Sequence, residues 1–168
     1  ESIIVSFELA RLMVQEIESK GALEFEQFMQ MALYQPGLGY YAAGNQKFGS
    51  GGDFVTAPEI SPLFAQSFAK QFVSIFKESE PAVLELGAGS GIFACDCLLE
   101  LERLEQLPEQ YYILEISPEL AQRQKQTLTT KAPHLLDRIQ WLAKLPDNFK
   151  GVVFANEVVD AIPVALYR

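Results

Sequence analysis

The run Glu85-Leu86-Gly87-Ala88-Gly89-Ser90-Gly91 joins a short apolar stretch to a helical pattern, and it is the segment best suited to holding a ligand. Glycines at alternate positions let the backbone turn sharply and approach a bound molecule with no Cβ in the way. A phosphate-binding P-loop requires G-x-x-x-x-G-K-[ST], and no Gly-Lys pair follows this turn, which disfavours a nucleoside triphosphate. The dinucleotide fingerprint G-x-G-x-x-G is also missed: the third glycine comes one place early, at Gly91, and position 92 is Ile. Glu85 sets an acid just before the turn, unfavourable beside a pyrophosphate and favourable beside a cation. Glu115 stands 24 residues beyond Gly91, near the spacing of about 20 expected of a carboxylate that binds ribose hydroxyls. An adenosine ligand carrying positive charge, such as the ammonium and sulfonium of S-adenosylmethionine, satisfies both acids. The plainer alternatives are a tight strand-to-helix turn with no ligand and a solvated acid at a strand end.

The elements around these residues follow from periodicity and turn chemistry. Ser6 precedes Phe7, Leu9, Ala10, Met13, Val14 and Ile17, a helical stripe closed by Lys20 and Gly21. A second apolar helix over 23–34 stops at Pro36-Gly37. The glycine- and aromatic-rich stretch from Gly39 to Gly52 predicts an ordered loop. Ser61-Pro62 is an N-cap followed by proline at the first helical position, after which Phe64, Phe68, Phe72 and Phe76 recur every four residues and face a core. From Ala82 the pattern changes to short apolar strands at 82–86, 111–116, 139–142 and 152–155, separated by helices over 90–106 and, behind the Ser117-Pro118 cap, 118–130. Four strands alternating with helices predict a three-layer α/β domain with a parallel sheet, right-handed crossovers and helices on both faces. In such a sheet ligands bind outside the carboxyl ends of the strands where strand order reverses.

Composition narrows the function further. The chain has 168 residues, of which 49% are hydrophobic and 21% charged, enough apolar material for one packed domain. No apolar run reaches the roughly 18–20 residues of a membrane span. A net charge of −9 argues against nucleic acid and anionic lipid as partners and favours a basic one. Cys95 and Cys97, one residue apart on a helix, suit neither a disulfide nor a zinc set, and no metal set is expected. The lone His134 reads as a surface loop residue, and Glu100, Glu102 and Glu105 as a solvated helix face.

Several blocks together resemble one family. Phe28-Met29 to Leu33-Tyr34, Pro36, Gly39-Tyr40-Tyr41, Gly52-Asp53-Phe54-Val55-Thr56-Ala57-Pro58-Glu59, the glycine turn, Ile113-Leu114-Glu115 and the run from Ala155-Asn156-Glu157 through Asp160 to Val164 are similar to the MidA-type S-adenosylmethionine-dependent methyltransferases. The mitochondrial member of that family is an arginine methyltransferase involved in respiratory complex I assembly. The resemblance implies a Rossmann-like class I methyltransferase sheet, here partial with about four strands, behind an N-terminal helical extension. It implies a division into a helical and glycine-rich lid region over 1–80 and the first half of the cofactor-binding domain over 81–168, as in a truncated family member.

Carried onto this sequence, the resemblance puts Gly87, Gly89 and Gly91 under the methionine part of S-adenosylmethionine, Glu115 on the ribose and Glu85 near the amino end. Trp141 and Leu142 fall where adenine commonly packs, although the single Trp could equally be core. Asp53, Thr56 and Glu59 belong to the block expected to fold over the site as a lid, a capped loop being the alternative. Asn156, Glu157 and Asp160 are the candidates for holding a methyl acceptor. Carboxylates suit a guanidinium because they bind it bidentately, and a helix N-terminus capped by Asn156 is the other reading of this cluster. The resemblance further implies a protein substrate with a basic segment and a cytoplasmic location, or the mitochondrial matrix in a eukaryote. A non-catalytic binding or assembly module on the same fold, and a nicotinamide-dependent oxidoreductase, are the competing functions.

Overall fold

The computed structural model describes residues 2–42 and 56–167, with side chains from Phe7 onward. These fall into two compact units, residues 1–45 with 157–168, and residues 46–156.

In the first unit, α1 (Ser2–Lys20) ends where the Gly21 N–H donates to the Ile17 carbonyl at 2.7 Å with Gly21 in the left-handed region, the expected glycine stop. Its start differs from expectation: Ser6 lies inside the helix, because the apolar residues 3–5 continue the turn and nothing before Ser6 breaks it. The second helix, α2 (Phe25–Tyr34), leads into a turn where Tyr41 stacks on Tyr34, with ring centroids 5.6 Å apart. The Tyr34 hydroxyl donates to the Ala161 carbonyl at 2.7 Å, tying α2 to the 3-10 turn Val159–Ala161.

The described elements of the second unit are α3 (Ala57–Ile60) and α4 (Pro62–Phe76), then β1 (Ala82–Leu86), α5 (Ile92–Arg103), β2 (Gln110–Leu114) and α6 (Pro118–Lys131), and last β3 (Ile139–Leu142) and β4 (Val152–Ala155). Both Ser-Pro starts are N-caps, Ser61 Oγ accepting from Leu63 N and Ser117 Oγ from Leu120 N. The sheet is parallel in the order β3-β2-β1-β4, so the chain steps outward from β1 to β3 and then reverses to the far side of β1. Handedness decides where the helices go. Right-handed crossovers that advance in one direction deliver successive helices to one face. Val83, Tyr111, Ile113, Ile139, Val152 and Phe154 share that face and form one core with Phe72 of α4, Phe93 and Leu98 of α5 and Leu128 of α6.

Helices on both faces were the expectation. Within this unit α4, α5 and α6 pack on the face just described, and the β3–β4 connection crosses the other, where Phe149 meets the Tyr112 ring edge-on at 6.1 Å. Among the described residues no helix is long and apolar enough to cross a membrane.

Candidate functional site

The glycine turn emerges at the carboxyl end of β1, beside the point of reversal. Gly87, Gly89 and Gly91 all have positive φ, at 61°, 54° and 82°, a region that side-chain-bearing residues enter only at a cost. The Gly87 N–H donates to the Leu114 carbonyl and the Glu115 N–H to the Leu142 carbonyl, at 3.0 and 3.1 Å. The ends of β1, β2 and β3 are thus stitched at one level, with the turn and Glu115 just beyond them. Open α/β sheets bind nucleoside ligands at such a switch point, outside the carboxyl ends of the strands.

Gly91 shows why the third glycine is needed. It is buried at the N-terminus of α5, and a Cβ there would lie 3.0 Å from the Cα of Gln124 on α6. Gly91→Ala is expected to lower stability by about 1–3 kcal/mol, combining left-handed backbone strain with this contact. Urea denaturation measures it as a lower midpoint with an unchanged slope.

Glu85, expected to carry a negative charge before the turn, is buried. It lies 3% exposed in the interior of β1, its Oε2 accepting a 2.8 Å hydrogen bond from the buried Tyr111 hydroxyl. Burial pushes its pKa up to about 8, the Tyr111 hydrogen bond opposes the rise, and the nearby Glu115 charge adds to it. Glu85 is therefore mostly neutral at pH 7, and its preference for a cation is latent until a positive charge reaches it.

Glu115 is half-buried and well held. Its Oε1 accepts from the Ser117 N–H at 2.9 Å, and its Oε2 from Gln124 Nε2 at 2.9 Å. Burial raises its pKa, while the hydrogen bonds from Ser117, Gln124 and Ile116 pull the other way. A carboxylate has about four lone-pair positions, so Glu115 keeps capacity for a further donor such as a sugar hydroxyl.

Trp141 lies on the helix-bearing face, its Nε1 donating to Gln124 Oε1 at 3.0 Å and its ring covered by Lys125 Nζ at 5.1 Å. Leu142 contributes its carbonyl to the Glu115 N–H. Thr56 precedes α3 without a side-chain cap bond, and Asp53 lies outside the described residues. Glu59 on α3 accepts a hydrogen bond from Ser90 Oγ, which joins this block directly to the glycine turn. Asn156 follows β4 at the carboxyl end of the sheet. Glu157 and Asp160 belong to the other unit, both exposed, and Glu157 has a positive φ of 51°.

The fully buried Gln124 escaped the sequence reading, although it bonds to Gly89, Glu115 and Trp141 at once. The signal was a polar residue four places from Leu120 and from Leu128 on one helical stripe. Tyr111, the partner of Glu85, stands in the sequence only as a strand residue.

This sheet order, with a glycine turn after β1 and an acid after β2, defines a Rossmann-like nucleoside-binding fold of the methyltransferase type. A family model described as "Putative S-adenosyl-L-methionine-dependent methyltransferase" matches residues 65–168, and the chain belongs to that family. It is similar to the protein arginine methyltransferase NDUFAF7, mitochondrial, of Danio rerio, at 28% identity over 91% of this chain and 42% of the relative. The Drosophila melanogaster homologue is 32% identical over 93% of this chain and 41% of its own length. A Burkholderia thailandensis protein solved with S-adenosyl-homocysteine bound superposes with a TM-score of 0.86 at 44% identity, covering 96% of this chain and 43% of that one. The chain thus spans about two fifths of the length of these relatives.

Proposed function

We propose that residues 46–156 bind S-adenosylmethionine at the glycine turn, and that the protein carrying this chain transfers its methyl group to an arginine side chain of a protein substrate. The observation that carries this reading is the pairing of three left-handed glycines at the switch point with the Glu115 carboxylate, held by the Ser117 N–H on Oε1 and by Gln124 Nε2 on Oε2. The Burkholderia relative with S-adenosyl-homocysteine and the arginine methyltransferases of animals support it.

S-adenosylmethionine supplies a methyl group made electrophilic by the positive sulfur. The residues of the chain do the rest by position. The glycine turn admits the methionine part at backbone distance, Glu115 takes the ribose hydroxyls, and Glu85, once a cation approaches, supplies a buried negative charge. Trp141 and Leu142 are assigned to the adenine side. Thr56, with Asp53 and Glu59, is assigned to the lid over the ligand. The acceptor is assigned to Asn156, Glu157 and Asp160. An arginine stays protonated at neutral pH, so a carboxylate must align the attacking nitrogen and help remove its proton as the nitrogen–carbon bond forms and the carbon–sulfur bond breaks, its electron pair staying on sulfur. A basic substrate segment accords with the net charge of −9. The mitochondrial matrix in a eukaryote, the cytoplasm otherwise, and a role in respiratory complex assembly follow from the family resemblance.

Titration calorimetry with S-adenosyl-homocysteine is expected to show saturable binding. Glu115→Ala is expected to weaken it ten- to a hundredfold, the equivalent of losing hydrogen bonds to a charged acceptor worth about 1.5–3 kcal/mol. Unchanged affinity in that variant rejects the ribose role. Thermal protection by NAD with none by S-adenosyl-homocysteine overturns the reading in favour of an oxidoreductase. Binding with no transfer of labelled methyl to any arginine-containing peptide leaves a non-catalytic assembly module.

A further inference from the structure

Gln124 has no solvent exposure, and a side-chain amide in that position must find partners or cost the protein stability. It finds three. Its Nε2 donates to Glu115 Oε2 at 2.9 Å and to the Gly89 carbonyl at 3.2 Å, and its Oε1 accepts from Trp141 Nε1 at 3.0 Å. These partners leave the amide one orientation. An indole N–H can only donate, and a carbonyl and a carboxylate can only accept, so a flipped amide would lose all three bonds. The anchor is itself anchored, since Lys125 lies over the Trp141 ring. The height of the amide above the turn is fixed too, because the Gly91 backbone packs directly on the Gln124 Cα.

One buried side chain therefore joins the turn, the acid after β2 and the indole on β3. Its effect on Glu115 is directional. With Ser117 N–H on Oε1 and Gln124 on Oε2, the carboxylate plane cannot rotate without breaking a bond on one side or the other. The lone pairs left over then point in a fixed direction, as recognition of two neighbouring hydroxyls requires.

We propose that Gln124 is a positioning residue that sets the orientation of the Glu115 carboxylate and thereby the preference of the site for a ribose over a 2′-deoxyribose ligand. This rests on the reading of Glu115 as the ribose acceptor. Gln124 also donates toward the charged form of Glu115, opposing the upward push of burial, so its loss makes Glu115 protonate at a higher pH.

The test compares binding of S-adenosyl-homocysteine and its 2′-deoxy analogue to the full chain by calorimetry, in wild type, Gln124→Leu, Trp141→Phe and Glu115→Ala. Wild type is expected to prefer the ribose ligand by about tenfold or more. Gln124→Leu keeps the side-chain volume and loses all three bonds; its preference is expected to shrink to within about twofold, and the pH at which ribose binding fails on acidification to rise. Trp141→Phe frees the amide from its anchor without removing its donors and is expected to give an intermediate loss, which tests the proposal even if Gln124→Leu does not fold. Equal weakening of both ligands in Gln124→Leu, with the preference intact, marks a merely structural role and overturns the proposal, as does an unchanged preference in Trp141→Phe should Gln124→Leu not fold. If Glu115→Ala abolishes the preference while Gln124→Leu retains it, only the positioning role fails. If Glu115→Ala itself retains the wild-type preference, the ribose reading fails first.

Discussion

Glu85→Gln is expected to leave stability almost unchanged near pH 5 and to raise it strongly by pH 8. The folded-state pKa of Glu85 is raised from 4.5 to about 8, so between those values the native state binds a proton that the unfolded chain releases. Stability then falls as pH rises across that window, because the slope follows protons bound by the unfolded state minus those bound by the native one. Integrated from pH 5 to pH 8, the loss is on the order of 3–4 kcal/mol. Glutamine keeps the size of the neutral acid and an acceptor for the Tyr111 hydroxyl, but cannot ionise. The difference between wild type and variant isolates this one group from Asp96 and Glu115, whose pKa values are also raised by burial. Urea denaturation at the two pH values measures it. Parallel stability curves for the two proteins would show that Glu85 ionises freely in the fold.

Phe93→Ala is expected to cost about 3–5 kcal/mol, the range for truncating a buried aromatic. Phe93 is 3% exposed, stacks on Phe154 at 4.1 Å with an 8° interplanar angle, and presents edges to Phe64, Phe68 and Phe72 at 5.9, 6.1 and 6.5 Å. It is the point where α4, α5 and β4 meet, beneath the glycine turn. Against a typical total of about 5–15 kcal/mol, such a loss leaves a marginal fold. Phe64→Ala removes a ring only partly buried at the margin of the same cluster, and its cost should be clearly smaller. Equal costs would mean that the cluster relaxes around the missing Phe93 ring.

The parts of this fold written in local chemistry were legible. Ser61-Pro62 and Ser117-Pro118 announced their helices because a cap and a proline at the first helical position act within one turn. The four strands stood out as short apolar runs between turn signals, and the β1 turn with Glu115 followed from spacing along the chain. What depended on tertiary contact did not show. The four-residue α3 is too short for periodicity to reveal. Ser6 looked like a helix start because its neighbours' continuation of the turn carries no separate mark. That α4, α5 and α6 share a sheet face depends on the order in which strands are added, which no single segment encodes. Glu85 reads as a charged acid before the turn until its burial beside Tyr111 is known. Gln124 is one polar letter on α6, and its partners on the glycine turn, β3 and the segment after β2 come together only when the sheet is built.

Backbone amide NMR during titration with S-adenosyl-homocysteine bears most directly on whether the turn after β1 is a cofactor site. Binding there predicts saturable shifts of the Gly87, Gly89 and Gly91 amides, with the response moved to higher ligand concentration in Glu115→Ala. A folded protein whose three glycine amides stay still up to millimolar ligand contradicts it.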